Sequence, residues 1–438
     1  MKKIIIAITL VSLVFIAACQ AVEDVIEPVI EPEVPIDDGE HLTSALERET
    51  DPDVAPDQIR TLVADNTAFA LSFYDLIRAE EENLIFSPFS LSVALGMTLA
   101  GADGDTQTAM LEALQLTLPE EAVHPAFNAL LWAIEESQQI PEDSDGNPFQ
   151  LNIANSIWGQ AGFGFHQDFI DTLAVNYGVG LYTVDYREDP EAARVAINDW
   201  VENETEGRIE DLIPENAIDI LTRLVLANAI YFNGSWLNPF DESLTEEAPF
   251  FTLDESEIMV DMMRIFDERF QYYAGENYQA IHLPYLSTDF GMTILVPDSG
   301  AFDDVEENLS ENMLFNLFDE MRSERLNLGM PKFDYETTIN ANEALEFLGM
   351  EVAFDPDVSD FTRMANVDDL HITDVLQKAN ITVDEEGTEA AAATAVIVGV
   401  ESAPIDEPVT LTIDRPFLYM IRHVPTGTIL FLGRVTQP

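Results

Sequence analysis

Residues 83–111 have the sequence "NLIFSPFSLSVALGMTLAGADGDTQTAML", and the centre of this stretch predicts a helix that is buried on nearly all sides. Apolar and small residues occupy almost every position from Phe89 to Ala102, which leaves no polar face for solvent. Ser87 followed by Pro88 fits the start of such a helix, because serine caps the free amides of the first turn and proline is tolerated there. The surrounding chain must therefore build a core that encloses a whole helix.

The rest of the chain predicts a mixed set of elements. Apolar periodicity predicts helices at residues 57–80 and 190–208. β-Branched and aromatic residues predict strands in "RLVLANAIYFNGSW" (223–236), "MTILVPD" (292–298), "RLNLGMPKFDYETTI" (325–339), "VTLTIDRPFLYMIRHV" (409–424) and "GTILFLGRV" (427–435). Helices dominate first and strands later, so we expect an α+β fold rather than alternating βαβ units.

The charge of the chain excludes several kinds of partner. Its 438 residues include 82 acids against 19 bases, which gives a formal net charge of −63. Because phosphate and sulfate groups need clustered Lys and Arg, we expect no binding to nucleic acid or heparin. Salt would screen the self-repulsion of so many acids, so we expect a saline or otherwise unusual extracellular habitat.

The first 18 residues have the features of a secretory signal. A basic "MKK" precedes an apolar run of 13 residues, which is short for a membrane span, and "AAC" ends at Cys19, the only cysteine of the chain. The tail "IAAC" resembles the lipobox of bacterial lipoproteins, although Ile16 stands where Leu is usual. We therefore expect a lipidated Cys19 that anchors an extracytoplasmic protein to a membrane. An ordinary signal peptide cut near Ala18, or a retained membrane helix, are the alternatives.

Residues 19–55 are rich in acid and proline and predict an extended, disordered tether. No later segment has a comparable length and bias, so residues 56–438 are predicted to form one domain, which we expect to be monomeric. With a single cysteine the chain has no intrachain disulfide and no Cys-based metal site. None of the six histidines lies in a His-Glu-x-x-His pattern, and Ser235 is not in a Gly-x-Ser-x-Gly turn. We therefore expect that the protein is not an enzyme and that it holds no metal ion and no cofactor.

Residues 383–402, "VDEEGTEAAAATAVIVGVES", combine conflicting local preferences. The alanine-rich middle favours helix, whereas the β-branched residues on both sides favour strand. Natural sequences usually make local preference agree with the fold, and exceptions tend to mark functional segments. This stretch is therefore a candidate for function.

Six separate stretches, in order along the chain, resemble the serpin family of protease inhibitors. They are residues 83–111, "INDWVENETEGRIEDLIP" (197–214), "TRLVLANAIYFNGSWLNPFD" (222–241), "VDMM" (260–263), "DEEGTEAAAATAV" (384–396) and "RPFLYMIRHVPTGTILFLGRV" (415–435). The resemblance covers in effect the whole predicted domain. It implies a serpin fold with three β-sheets, about eight or nine helices and an exposed reactive-centre loop.

The resemblance also implies a mechanism. In inhibitory relatives a target protease attacks the loop as a substrate, and after the acyl-enzyme forms, the cut loop inserts into the central sheet. The protease is carried along and its active site is distorted before water releases it. A cysteine protease is a second type of target, because the trap requires only an acyl-enzyme. The alternative is a non-inhibitory serpin that acts as a binding module.

The resemblance assigns the hinge of the loop to Glu385, Glu386, Gly387, Thr388, Glu389, Ala390, Ala391, Ala392, Ala393 and Thr394. Side chains of a strand alternate between faces, so the even-numbered residues from Thr388 to Val398 share one face. By family precedent this face enters the core, and none of its residues is charged. Glu389 falls on the solvent-facing set, where a carboxylate need not be buried without a partner.

Counting 14 residues from Gly387, the usual family spacing, places the reactive bond between Glu401 and Ser402. The following segment is slightly longer than in the shortest relatives, so a bond elsewhere between about Val398 and Asp406 is the alternative. Cleavage after Glu401 implies a glutamate-selective endopeptidase. Cleavage after a valine implies an elastase- or subtilisin-like enzyme.

Further positions match family residues that control opening of the central sheet. Ser87, Ser90 and Asn228 match polar positions beneath the sheet, and Trp236 matches a buried tryptophan near the insertion point. Gln377 stands where many relatives have histidine. Because an amide both donates and accepts hydrogen bonds, the latch is expected to work here without a pH-sensitive group.

Overall fold

The computed structural model describes residues 39–78, 82–138, 150–388 and 407–438. The helices are α1 (Pro56–Ile77), α2 (Pro88–Leu99), α3 (Gly104–Ala113), α4 (Glu120–Ser137), α5 (Gln167–Tyr177), α6 (Pro190–Glu204), α7 (Phe302–Glu307), α8 (Glu311–Glu320), α9 (Asn342–Leu345) and α10 (Glu351–Phe354). A π-helical turn, Glu346–Met350, joins the last two into one interrupted helix.

The strands are β1 (Glu40–Leu42), β2 (Leu84–Phe86), β3 (Gln150–Gln160), β4 (Leu181–Val184), β5 (Leu224–Ser235), β6 (Glu246–Phe251), β7 (Glu257–Ala274), β8 (Tyr278–Pro284), β9 (Phe290–Pro297), β10 (Arg322–Pro331), β11 (Phe333–Asn340), β12 (Asp374–Val383), β13 (Gly387–Thr388), β14 (Val409–Thr412), β15 (Phe417–His423) and β16 (Thr428–Val435). The α+β prediction is confirmed. Within the described ranges hydrogen bonds join the strands into two networks, because the 18-residue β7 links two groups of strands: it pairs with β6 and β10 in one part and with β8 in another.

The central sheet has seven strands in the order β1-β4-β3-β5-β13-β12-β11. β5 and β12 are parallel and pair directly between Val225–Ile230 and Asp374–Ala379. Beyond this paired segment β13 lies between them. The larger network has the order β14-β10-β7-β8-β9-β15-β16-β2, with β6 attached to β7.

Helix α2 lies between the two sheets, in contact with β3, β5 and β16. All 12 of its residues are buried, as the sequence predicts, and the Ser87 hydroxyl accepts a hydrogen bond from the Ser90 amide at 3.2 Å. The helix lacks a polar face because the strands of both sheets and helices α1, α3 and α4 enclose it.

The stretch at 325–339 contributes to both sheets. β10 pairs with β7 and β14, whereas β11 pairs with β12 of the central sheet, and Lys332 stands between them. The apolar residues occupy even-numbered positions up to Met330 and odd-numbered positions from Phe333, so their alternation changes phase at the crossing. The prediction of one continuous strand overlooked this change. This crossing sets Lys332 beside the end of β12.

The predicted tether extends too far toward the domain. Residues Glu40–Leu42 form β1, which pairs antiparallel with β4 at the edge of the central sheet. The Arg48 guanidinium donates to Asn128 at 2.8 Å and to Glu135 at 2.7 Å, and lies 4.6 Å from the centre of the Trp132 ring. Residues 40–49 therefore pack on the domain. The acids and prolines nearby dominate the composition and hide the few anchoring side chains.

Candidate functional site at the hinge of the central sheet

The chain turns back into the central sheet directly after β12. The amide of Asp384 donates to the Gly387 carbonyl at 3.0 Å, and the Asp384 carboxylate accepts from the amides of Glu386 and Gly387 at 2.9 and 3.1 Å. These bonds close a tight turn that reverses the chain. The first hinge residues therefore run antiparallel to β12.

Gly387 and Thr388 then occupy a gap between the two central strands. On one side they pair with Ser235 and Gly234 of β5, and on the other Thr388 pairs with Val383 of β12. Both residues are buried. The start of the hinge is thus already a strand of the central sheet.

Thr388 is held by an aromatic group on its buried side. Its hydroxyl lies 2.9 Å from the Tyr285 hydroxyl, and the Tyr285 ring stacks on Trp236 with centroids 4.7 Å apart. The Trp236 indole donates to the Asp384 carbonyl at 3.1 Å, and its amide donates to the Glu386 carbonyl at 2.8 Å. Burial raises the pKa of Tyr285, so its hydroxyl stays neutral. Trp236 therefore contacts the hinge directly.

An ion pair fixes the turn on its outer side. Glu385 is 5% exposed and meets the Lys332 ammonium at 2.5 Å and the Thr245 hydroxyl at 2.6 Å. Burial alone would raise the pKa of Glu385, but the bonds from Lys332 and Thr245 outweigh it and hold that pKa below its usual value. Among the described residues Glu386 has no such partner, and burial followed by repulsion from Asp384 raises its pKa. One lysine thus anchors an otherwise acidic turn.

A buried polar network lies beneath the sheet where β5 and β12 pair directly. Gln377 accepts from the Ser87 amide at 2.8 Å and donates to the Ser87 carbonyl at 3.0 Å and to Asn228 at 2.5 Å. Asn228 donates to the Ser90 hydroxyl at 2.8 Å and also to Asn155. The network joins α2 to β3, β5 and β12, so separating the strands disturbs it.

The structure brings Ser87, Ser90, Asn228 and Gln377 together, and it places Trp236 at the turn, away from this network. Three residues were missed by sequence reasoning: Asn155, Tyr285 and Lys332. None of the three carries a distinctive local signal, because β3 also contains the polar residues Asn152 and Ser156. Residues Glu389–Thr394, Glu401, Ser402 and Cys19 lie outside the described residues.

The described ranges contain no group of three or more His, Cys, Asp or Glu side chains that could hold a metal ion. In the same ranges no helix is long and apolar enough to cross a membrane.

Comparison with known proteins identifies this architecture. The family model described as serpin (serine protease inhibitor) matches residues 64–438. The chain belongs to the serpin family. Leukocyte elastase inhibitor of Sus scrofa is 36% identical to this serpin over 392 residues, which cover 86% of this chain and 99% of the relative. Antithrombin-III of Mus musculus is 35% identical over 384 residues, which cover 85% and 81%.

Solved structures agree with this assignment. The thermophilic serpin tengpin in its native state superposes with a TM-score of 0.78 at 26% identity, over 92% of this chain and 100% of that chain. Uncleaved ovalbumin superposes with a TM-score of 0.76 at 22% identity, which shows the shared fold alone. The predicted family and fold are confirmed.

Proposed function

We propose that this serpin is an inhibitor that traps an endopeptidase as a covalent acyl-enzyme by inserting its cleaved loop into the central sheet. The supporting observation is β13: Gly387 and Thr388 already pair with both β5 and β12. A sheet that accepts the start of the loop in the resting protein has the register and polarity for the remainder.

The register of β13 can be continued residue by residue. Six residues beyond Thr388 is Thr394, which would stand opposite Asn228 of β5 and Gln377 of β12, six residues before Gly234 and Val383. The register with β5 and the register with β12 therefore both place Thr394 opposite a residue of the buried network. We therefore expect the second threonine of the inserting face to meet hydrogen-bonding amides rather than an apolar wall.

Backbone hydrogen bonding favours the same process. Insertion separates the direct pairing of β5 with β12, and the new strand replaces this one ladder with two. The other residues that would enter the core on the even-numbered face are alanines and valines, which fit a closed sheet without burying charge.

We further propose, from the sequence alone, that the reactive bond is Glu401–Ser402 and that the target is a glutamate-selective serine endopeptidase. A valine at the cleavage position would favour an elastase- or subtilisin-like target instead. We propose an extracytoplasmic monomer attached to a membrane through lipidated Cys19. These proposals rest on the loop spacing and on the signal-like first 18 residues.

To test the proposal, the protein is mixed with a panel of endopeptidases, and covalent complexes with each endopeptidase are detected on denaturing gels. We expect an SDS-stable complex, with the released peptide starting at Ser402. Ala392→Glu places a charge on the inserting face and should be cleaved without complex formation. Ala391→Glu is the matched control, because in the inserted strand its side chain would point to the solvent face, and trapping should persist.

Two outcomes would refute the proposal. If no endopeptidase forms a covalent complex and cleavage leaves the melting temperature unchanged, the non-inhibitory binding module is the correct alternative. If Ala391→Glu and Ala392→Glu lose trapping equally, the assignment of the two faces is wrong.

A further inference from the structure

We infer that Tyr285 is a positioning residue that sets the register of the inserting loop, by holding Thr388 at a fixed point of the slot. This inference rests on the proposed inhibitory function and assigns a residue to its decisive step. The contact consists of two buried hydroxyl groups 2.9 Å apart, one on the loop and one on the body of the protein.

Tyr285 is held rigidly enough to serve as a fixed reference. Its ring stacks on Trp236 at an interplanar angle of 9° and meets the edge of Phe232 with centroids 4.9 Å apart. Gly234 makes room for it, since a Cβ atom there would lie 3.0 Å from the ring. The hydroxyl is therefore aimed at one position along β13.

Such a reference matters because the alanines that follow Thr388 into the slot define the register weakly. Residues 390–393 are four consecutive alanines, so both faces of a strand formed by that segment would present the same methyl groups. Strands with little contrast between faces are prone to slip in register. A shift by two residues would preserve the buried face and change the alanine packing very little.

The Tyr285 hydroxyl distinguishes these registers. A shift by one residue brings Gly387 or Glu389 to Tyr285, and a shift by two brings Glu386 or Ala390. None of these supplies a hydroxyl, so the bond between the two hydroxyl groups would be lost, and in some registers a carboxylate would face the tyrosine. Among residues 386–393 only Thr388 carries a hydroxyl group.

The effect of losing this bond should appear in the competition between trapping of the acyl-enzyme and release of the protease by hydrolysis. Misregistered insertion is slower, so more acyl-enzyme is hydrolysed before the protease is distorted. In Tyr285→Phe the ratio of cleaved inhibitor to trapped protease should rise about fivefold, the factor that corresponds to one neutral hydrogen bond of about 1 kcal/mol. The rate at which the protease cuts the loop should not change.

The experiment measures the stoichiometry of inhibition for a set of variants. Thr388→Val should match Tyr285→Phe, and the double variant should be no worse than either single variant, because both remove the same bond. Thr388→Ser should retain wild-type stoichiometry. Tyr272→Phe is the control, since it removes a comparable bond of 2.8 Å to Gln279 in the other sheet.

Wild-type stoichiometry in Tyr285→Phe, or additive effects of the two single variants, would overturn the inference. If the wild-type protein traps no protease, the proposed function fails and the register is tested on protein cleaved in the loop. Cleaved Tyr285→Phe should then gain fewer degrees in melting temperature than the cleaved wild type. Equal gains, including no gain in either, would overturn the inference.

Discussion

Replacing Gln377 by leucine should show how strongly the buried network stabilises the closed sheet. Gln377 is 1% exposed, and its amide makes three hydrogen bonds, two with the Ser87 backbone and one with Asn228. Leucine fits the space but pairs with none of these groups. Each buried group left without a partner costs about 1–3 kcal/mol, and leucine burial offsets part of the sum. We expect the free energy of unfolding to fall by about 3 kcal/mol.

The assay is urea unfolding of the uncleaved protein at pH 8, followed by tryptophan fluorescence. Gln271→Leu, at an exposed glutamine of β7, is the control and should change stability by about 0.5 kcal/mol or less. A loss below about 1 kcal/mol for Gln377→Leu would refute the reasoning, because the network would then contribute little to closing the sheet.

The companion variant Gln377→His tests the absence of a pH-sensitive group. A buried imidazole is harder to protonate than an unfolded one, so its folded pKa lies below the ordinary value of about 6.5. Stability contributed by such a group is present above the unfolded pKa and is lost as the pH falls below it. We expect Gln377→His to lose more stability than the wild type between pH 8 and pH 5.5. Parallel curves would contradict this.

Three further predictions follow from the same structure. Arg48→Ala should lower the free energy of unfolding by about 2 kcal/mol in urea melts, since it removes the hydrogen bonds to Asn128 and Glu135 and the contact with Trp132. An unchanged urea midpoint would mean that residues 40–49 pack on the domain without stabilising it. Burial raises the pKa of Asp374 to about 6. The stability that this carboxyl group contributes in its protonated form is therefore lost as the pH rises through 6. Asp374→Asn should stabilise the protein by up to about 2–3 kcal/mol at pH 8 but little at pH 4, and equal effects at both pH values would contradict this. Molar sodium chloride should raise the melting temperature, because the net charge of −63 repels itself; a fall would exclude self-repulsion as the dominant effect.

Local sequence patterns were sufficient to predict the burial of elements that meet the same kind of environment on every side. Helix α2 lacks any polar face and β5 is apolar at most positions, so burial of both was predictable. The family resemblance supplied Ser87, Ser90, Asn228 and Gln377, and the structure brings their side chains together.

Contacts between distant parts of the chain were not predictable in this way. Tyr285 lies 103 residues before Thr388, and no periodicity links them. Lys332 reaches Glu385 only because the chain crosses between sheets at that point. The anchoring of residues 40–49 was missed because acids and prolines dominate the surrounding composition, whereas a few side chains such as Arg48 make the contacts.

The melting temperature before and after cleavage in the reactive loop tests the central claim most directly. If the loop inserts between β5 and β12, two ladders of backbone hydrogen bonds replace the one between these strands. The even-numbered face of residues 390–398 would also become buried. We predict a rise of about 10 °C or more, because the added ladder and the buried face should contribute several kcal/mol and each kcal/mol shifts the melting temperature by about a few degrees. An unchanged or lower melting temperature after cleavage would contradict the account.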